Sequence, residues 1–83
     1  MAKTILITGS SGGFGRIISE TLARKGHRVF ASMRDVEGKN KQVAGELRKL
    51  AEQEELSLEV VELDVTDQST IDDAVDRIVD SAG

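Results

Sequence analysis

The chain has 83 residues, 11 Lys and Arg against 15 Asp and Glu, and a net charge of −4. At this length it makes one small domain at most, with a core close to the lower limit for independent folding. It holds no Cys, Tyr, Trp or Pro. That excludes disulfides, thiol catalysis, the usual structural zinc sites and any tyrosine acid or base.

Thr4–Thr8 reads as a β-strand, because Ile5-Leu6-Ile7 is the continuous apolar run of a parallel strand covered on both faces. Gly9–Gly15 follows as a turn with four glycines in seven residues. From Gly13 to Lys25 the spacing becomes helical: Phe14, Ile17, Ile18, Thr21 and Leu22 fall on one stripe. Gly26 stands just past the helix, where a C-terminus prefers glycine. Arg28–Met33 predicts a second strand, and Asp35–Asn40 a polar loop. Gln42–Glu54 predicts a second helix with Val43, Leu47, Leu50 and Ala51 inward.

Leu58–Leu63 predicts a third strand, and Glu59 and Glu62 suit an edge position. Thr66 or Asp67 is expected to cap a third helix, Asp67–Ala82, with Ile71, Ala74, Val75, Ile78, Val79 and Ala82 as its stripe and Gly83 at its end. The order βαβαβα predicts an α/β fold of parallel strands with right-handed crossovers.

Charge is divided unevenly. Residues 1–42 hold eight basic and three acidic side chains; residues 43–83 hold three basic and twelve acidic. Two differently solvated faces account for this, or an N-terminal half that meets an anion. A small phosphate ligand fits the second reading better than nucleic acid, which the overall acidity would repel. No run approaches 18 apolar residues, so no membrane span is expected and a cytoplasmic location is the default.

The chemistry concentrates in Thr8-Gly9-Ser10-Ser11-Gly12-Gly13-Phe14-Gly15. Glycines between a strand and a helix permit a tight turn, a backbone approach to phosphate and close helix–strand packing. The helix N-terminus then aims free N–H groups at an anion. No Gly-Lys-Ser/Thr follows, so this is not a P-loop. Ser10 and Ser11 offer hydroxyls to ribose or phosphate, or serve the turn. Arg16 reaches either the phosphates or solvent.

A dinucleotide unit that selects NAD carries an acid at the end of its second strand, on the ribose 2′-hydroxyl. Here Met33 occupies that position and Arg34 follows. A guanidinium pairs with a 2′-phosphate through two hydrogen bonds, so NADP is expected and NAD is the second choice. The competing reading leaves Arg34 solvated and makes Asp35 the ribose acid. Asp64, at the end of the third strand, either accepts from an adenine amino group or forms a local Asx turn. His27 lies at the opposite, amino edge of the sheet, which gives it a surface or capping role. The acids of the third helix face water, and no metal site is expected.

These motifs resemble the short-chain dehydrogenase/reductase family. Thr8, Gly9, Gly13 and Gly15 match its Thr-Gly-x-x-x-Gly-x-Gly cofactor motif. Leu63-Asp64-Val65 is similar to its adenine-pocket segment, and Arg34 stands where its NADP-preferring members carry a basic residue. Gly12 occupies a position where many such members carry Lys or Arg, so one determinant of NADP preference is missing.

The resemblance implies half of a three-layer Rossmann-type fold, strand order 3-2-1. Residues 1–83 would form its N-terminal dinucleotide-binding part. It implies an oxidoreductase acting on an alcohol or carbonyl, with NADP(H) held by Gly9, Ser10, Ser11, Gly13, Phe14, Gly15, Arg34, Asp64 and Val65. The family's catalytic Ser and Tyr-x-x-x-Lys are absent, so this chain is expected to be an inactive fragment. The alternative is a stand-alone module that binds nucleotide or a partner without chemistry. The resemblance also leaves Thr4–Thr8 as an open apolar edge, from which self-association into a homo-oligomer, or a partly unfolded monomer, is expected.

Overall fold

The computed structural model describes residues 3–82, with side chains to residue 80; the expectations for Ala82's side chain and for Gly83 lie outside the described residues. Three strands, β1 (Thr4–Ile7), β2 (Arg28–Met33) and β3 (Leu58–Glu62), alternate with three helices, α1 (Gly13–Arg24), α2 (Lys41–Gln53) and α3 (Gln68–Ala82). The strands form one parallel sheet with β2 in the middle, so the order is 3-2-1 as expected. β1 pairs Thr4–Ile7 with Arg28–Ala31, and β2 pairs Val29–Met33 with Leu58–Glu62.

The first and third strands each end one residue earlier than expected, and the second matches its expected bounds. β1 stops at Ile7, because Gly9 turns into the left-handed region at φ +65°. β3 stops at Glu62, though the Leu63 N–H still reaches the Met33 carbonyl at 3.0 Å. Asp67 stands outside α3 as its cap: its Oδ1 accepts from the Ser69 N–H at 3.0 Å and the Ser69 hydroxyl at 2.7 Å. Thr66 does not cap the helix; it bonds Asp64.

Alternation along β2 separates two layers. Val29, Ala31 and Met33 face a core with Ala23, Ala44, Leu47, Leu58 and Val60, which α1 and α2 cover. Phe30 and Ser32 face the other way, where Val61 and Ala74 are also buried and Arg77 of α3 pairs with Glu59 at 3.2 Å. The sheet is thus covered by α1 and α2 on one face and α3 on the other.

The apolar stripe of α1 lies mostly outside the core, at the side of the helix away from the sheet's buried layer. Phe14 is 86% exposed and Ile17 61%, while Ser19 and Ala23 are the buried residues of the helix. Small side chains let α1 approach the sheet, and of the apolar row Leu22 packs half-buried against the core. Val75 and Val79 of α3 are likewise exposed. Leu6 on β1 is 41% exposed, and among the described residues β1 pairs with β2 alone.

Ion pairs tie α1 to α2. Arg16 meets Glu46 at 2.8 Å and Glu20 at 3.2 Å, and Arg24 grips Glu54 through two bonds of 3.0 and 2.9 Å. These contacts explain part of the uneven charge, since basic residues of the first half meet acids of the second. Surface pairs of this kind add little stability and mainly fix register.

Candidate functional site at the carboxyl edge of the sheet

The Gly-rich turn is built by exclusion of side chains. Gly9 needs its left-handed φ, and Gly15 packs directly over it. A Cβ on Gly15 would lie 2.9 Å from the Gly9 carbonyl carbon and 3.0 Å from Ser10 Cα, and closer still to the Gly9 carbonyl oxygen. Around Gly13, by contrast, a Cβ would meet nothing within 4 Å. Gly12 precedes α1 with no side-chain cap. The first-turn N–H groups of Gly13, Phe14 and Gly15, which an α-helix leaves without internal partners, therefore point outward with the positive end of the helix dipole.

Three serines hold this turn from below, and sequence reading found only one of them. Ser10, Ser19 and Ser32 are all buried. The Ser10 and Ser32 hydroxyls both donate to the Ile7 carbonyl, at 2.9 and 3.0 Å, and Ser19 donates to the Gly15 carbonyl at 2.8 Å. Each hydroxyl has one proton, so the 3.4 Å approach of Ser10 to Ser19 adds packing and no full bond. The Ser10 N–H is also taken, by the Ser32 carbonyl at 2.9 Å. Ser10 is thus committed to the turn, and its hydroxyl is turned away from the surface. No sequence signal marked Ser19 or Ser32, because buried serine and surface serine look alike in one sequence.

Next to the turn lies a cleft of about 830 Å³. Gly9 and Ser11 form one wall, Arg34, Asp35, Lys39 and Asn40 a second, and Glu62, Asp64, Val65 and Thr70 a third. Gly9, Ser11, Arg34, Asp64 and Val65 are therefore brought together. Gly13, Phe14 and Gly15 sit beside the cleft at the start of α1, and Ser10 lies beneath it. Lys39, Asn40, Glu62 and Thr70 were not anticipated. Their place depends on the fold of two loops, which spacing along one strand or helix does not reveal.

Asp64 shows the local role foreseen for it. Its Oδ1 accepts from the Thr66 N–H at 2.9 Å and the Thr66 hydroxyl at 2.7 Å. These bonds, with a smaller pull from the Arg34 charge, hold its carboxyl below the usual range. It is an acceptor-only carboxylate at neutral pH. Thr70 pins the same loop, accepting from the Asp64 N–H at 2.9 Å through its hydroxyl oxygen. Among the described residues the Arg34 guanidinium has no ion-pair partner. Arg16 does have partners, Glu46 above all, which raise its pKa and draw it across α2 away from the cleft. His27 lies at the amino edge, where its Nδ1 accepts the Lys3 N–H at 3.1 Å. No cluster of acids, His or Cys that could hold a metal, and no helix long and apolar enough to cross a membrane, occurs among the described residues.

The family model of short chain dehydrogenases matches residues 3–83. An uncharacterized oxidoreductase of Bacillus subtilis, YmfI, is 38% identical over 80 residues, covering 95% of this chain and 31% of that protein. The L-2,3-butanediol dehydrogenase of Corynebacterium glutamicum is 36% identical over 83 residues, covering 100% of this chain and 31% of that protein. Among solved structures, a short-chain dehydrogenase from Streptomyces avermitilis superposes with a TM-score of 0.76 at 31% identity, over 100% of this chain and 28% of its own. One from Sphingobium yanoikuyae, solved in complex with NADPH, superposes with a TM-score of 0.70 at 27% identity, over 90% and 28%. The chain thus spans under a third of the length of these relatives. A match over nearly every residue, to the same family in sequence and in fold, means that this chain belongs to the short-chain dehydrogenase/reductase family.

Proposed function

We propose that this chain is the NADP(H)-binding segment of a cytoplasmic oxidoreductase acting on an alcohol or carbonyl group, and that it carries no catalytic residue of its own. One observation carries the reading: a single cleft runs from Gly9 and Ser11 of the Gly-rich turn, beside the uncapped start of α1, to Arg34, a cation without an ion-pair partner among the described residues. The first site suits a pyrophosphate and the second a 2′-phosphate. The cleft's volume lies within the range of about 300–1,000 Å³ common for ligand sites. The NADPH complex of the Sphingobium relative supports the choice of cofactor.

In this reading the N–H groups of Gly13, Phe14 and Gly15 receive the pyrophosphate, with Ser11 beside them. Arg34 pairs with the 2′-phosphate. Asp64, already ionised and with both its bonds on Oδ1, accepts from the adenine amino group through Oδ2, beside Val65. The nicotinamide, when bound, accepts or gives a hydride; the residues that would act on substrate are not in this chain.

Calorimetric titration with NADP⁺ and, in parallel, NAD⁺ tests the reading. NADP⁺ is expected to bind more tightly by about tenfold or more, the worth of one charge-assisted pair. Equal affinity, or tighter NAD⁺, would overturn the choice of cofactor.

We also infer that the chain self-associates through β1. This edge leaves its ladder groups open on one side, and apolar Leu6, Ile17 and Ile18 stand exposed nearby. Sedimentation is expected to give a species heavier than the 9.0 kDa chain, with its mean mass rising with concentration. A single monomer at every concentration would contradict this.

A further inference from the structure

The cleft contains more carboxylates than a phosphate site should tolerate. Asp35, Glu62, Asp64 and Asp67 line it together with Arg34 and Lys39. A free carboxylate beside a bound 2′-phosphate would repel it, and a free carboxylate beside Arg34 would compete for the guanidinium. Each of the four acids, however, has an oxygen held by a backbone N–H; for Asp67 it is Oδ1, which accepts from Ser69 at 3.0 Å. Glu62 Oε1 accepts from Val36 at 3.2 Å, and Asp64 Oδ1 from Thr66 at 2.9 Å. Asp35 Oδ2 accepts from Lys39 at 2.9 Å.

Asp35 is the acid next in sequence to Arg34, and its capture is the most constrained. Its backbone is left-handed, with φ +50°. Its carbonyl accepts from the Gly38 N–H at 3.1 Å and the Asn40 N–H at 3.0 Å, so the loop closes back upon it. The carboxylate then occupies the space over Gly38. A Cβ on Gly38 would fall 2.6 and 2.8 Å from the two carboxylate oxygens. Gly38 itself is outside the left-handed region, so its backbone does not need glycine. Only the parked carboxylate does.

We propose that Gly38 and Asp35 act as a positioning pair: the missing side chain at Gly38 gives the Asp35 carboxylate a place inside its own loop, which keeps negative charge off the 2′-phosphate site and leaves Arg34 and Lys39 to face it. The inference rests on the NADP reading above and explains how an acid adjacent to Arg34 is compatible with it. A side chain at Gly38 must displace the carboxylate, because the Cβ is on the backbone and the carboxylate is the part free to move. The open volume beside Asp35 is the cleft it lines.

The test is a set of paired titrations with NADP⁺ and NAD⁺ on the chain and its Gly38→Ala, Asp35→Asn and Asp35→Asn/Gly38→Ala variants. Gly38→Ala is expected to lower the ratio of NADP⁺ to NAD⁺ affinity about tenfold, the order of one like-charge contact at the surface. The double variant is expected to recover the ratio, because the displaced group is then neutral. Asp35→Asn alone is expected to change the ratio by less than about twofold, because the carboxylate is already withheld.

An unchanged ratio in Gly38→Ala, or no recovery in the double variant, would overturn the proposal. So would a large gain in NADP⁺ preference in Asp35→Asn, which needs no change at Gly38 and tests the parked state even where Gly38→Ala does not fold. A parent chain with no preference for NADP⁺ would overturn the functional reading first and this inference with it, and that outcome is visible before any variant is made.

Discussion

Gly15→Ala is expected to destabilise the chain by about 3 kcal/mol and to abolish dinucleotide binding. Two effects oppose each other. Alanine is the better helix former, by about 1 kcal/mol. Against this, the new Cβ would be driven into the backbone of Gly9 and Ser10, and neither the Gly9 carbonyl nor Ser10 Cα can rotate aside. Overpacking of this kind costs about 1–3 kcal/mol even where side chains can adjust, and here backbone must move. The collision wins. It also strikes the turn where the buried serines anchor, so relief by displacing Gly9 would break the bonds to the Ile7 carbonyl. A small domain has little stability to lose, and its Tm is expected to fall by more than about 10 °C. Melting followed by circular dichroism would show this. Gly13→Ala is the control: its Cβ would meet nothing, so melting is expected to change little while binding weakens. An unaltered Tm in Gly15→Ala would contradict the packing account.

Arg34→Ala is expected to weaken NADP⁺ binding about tenfold to a hundredfold and to leave NAD⁺ binding within about twofold. A hydrogen bond to a charged group contributes about 1.5–3 kcal/mol, and a guanidinium can make two to one phosphate. NAD lacks the 2′-phosphate, so it has nothing to lose at this position. The comparison is therefore internal: one variant, two ligands, one ratio. Arg34 forms no ion pair among the described residues, and its removal is not expected to disturb the fold. Equal losses for both ligands would mean that Arg34 supports the loop rather than reading the phosphate.

Much of the architecture was legible before the structure was known, for definite reasons. The apolar β2 reports burial at the middle of a parallel sheet and the glutamates of β3 an edge, while the order 3-2-1 was implied by the family resemblance. The glycines were legible because Gly9 and Gly15 each answer a steric demand that few other residues meet. The face of α1 was not legible. Its apolar row of Phe14, Ile17 and Ile18 gave the strongest helical signal, yet the fully buried residues are the small Ser19 and Ala23, with only Leu22 of the stripe packed against the core. Periodicity reports where apolar residues lie, not which surface they meet.

The site was legible only in part, for a related reason. Arg34 and Asp64 stand at strand ends, positions that topology fixes. Lys39, Asn40 and Thr70 enter the cleft because loops fold back, through contacts such as Asn40 N–H to the Asp35 carbonyl and Thr70 to Asp64. Nothing in linear spacing encodes those returns. Arg16 illustrates the converse. It stands next to the last glycine, within apparent reach of a phosphate, but Glu46 and Glu20 take it. Sequence could not show that, because Glu46 is thirty residues away and meets Arg16 only when α2 lies beside α1.

The central claim is that one cleft holds the cofactor between the start of α1 and Arg34. The most direct measurement is the amide spectrum of the ¹⁵N-labelled chain during titration with NADP⁺. The account predicts saturable shifts at Gly13, Phe14, Gly15, Arg34, Asp64 and Val65, with little change at Glu55 and Leu56, in the turn between α2 and β3 at the amino edge. Shifts confined to that edge, or none at all while the chain remains folded, would contradict it.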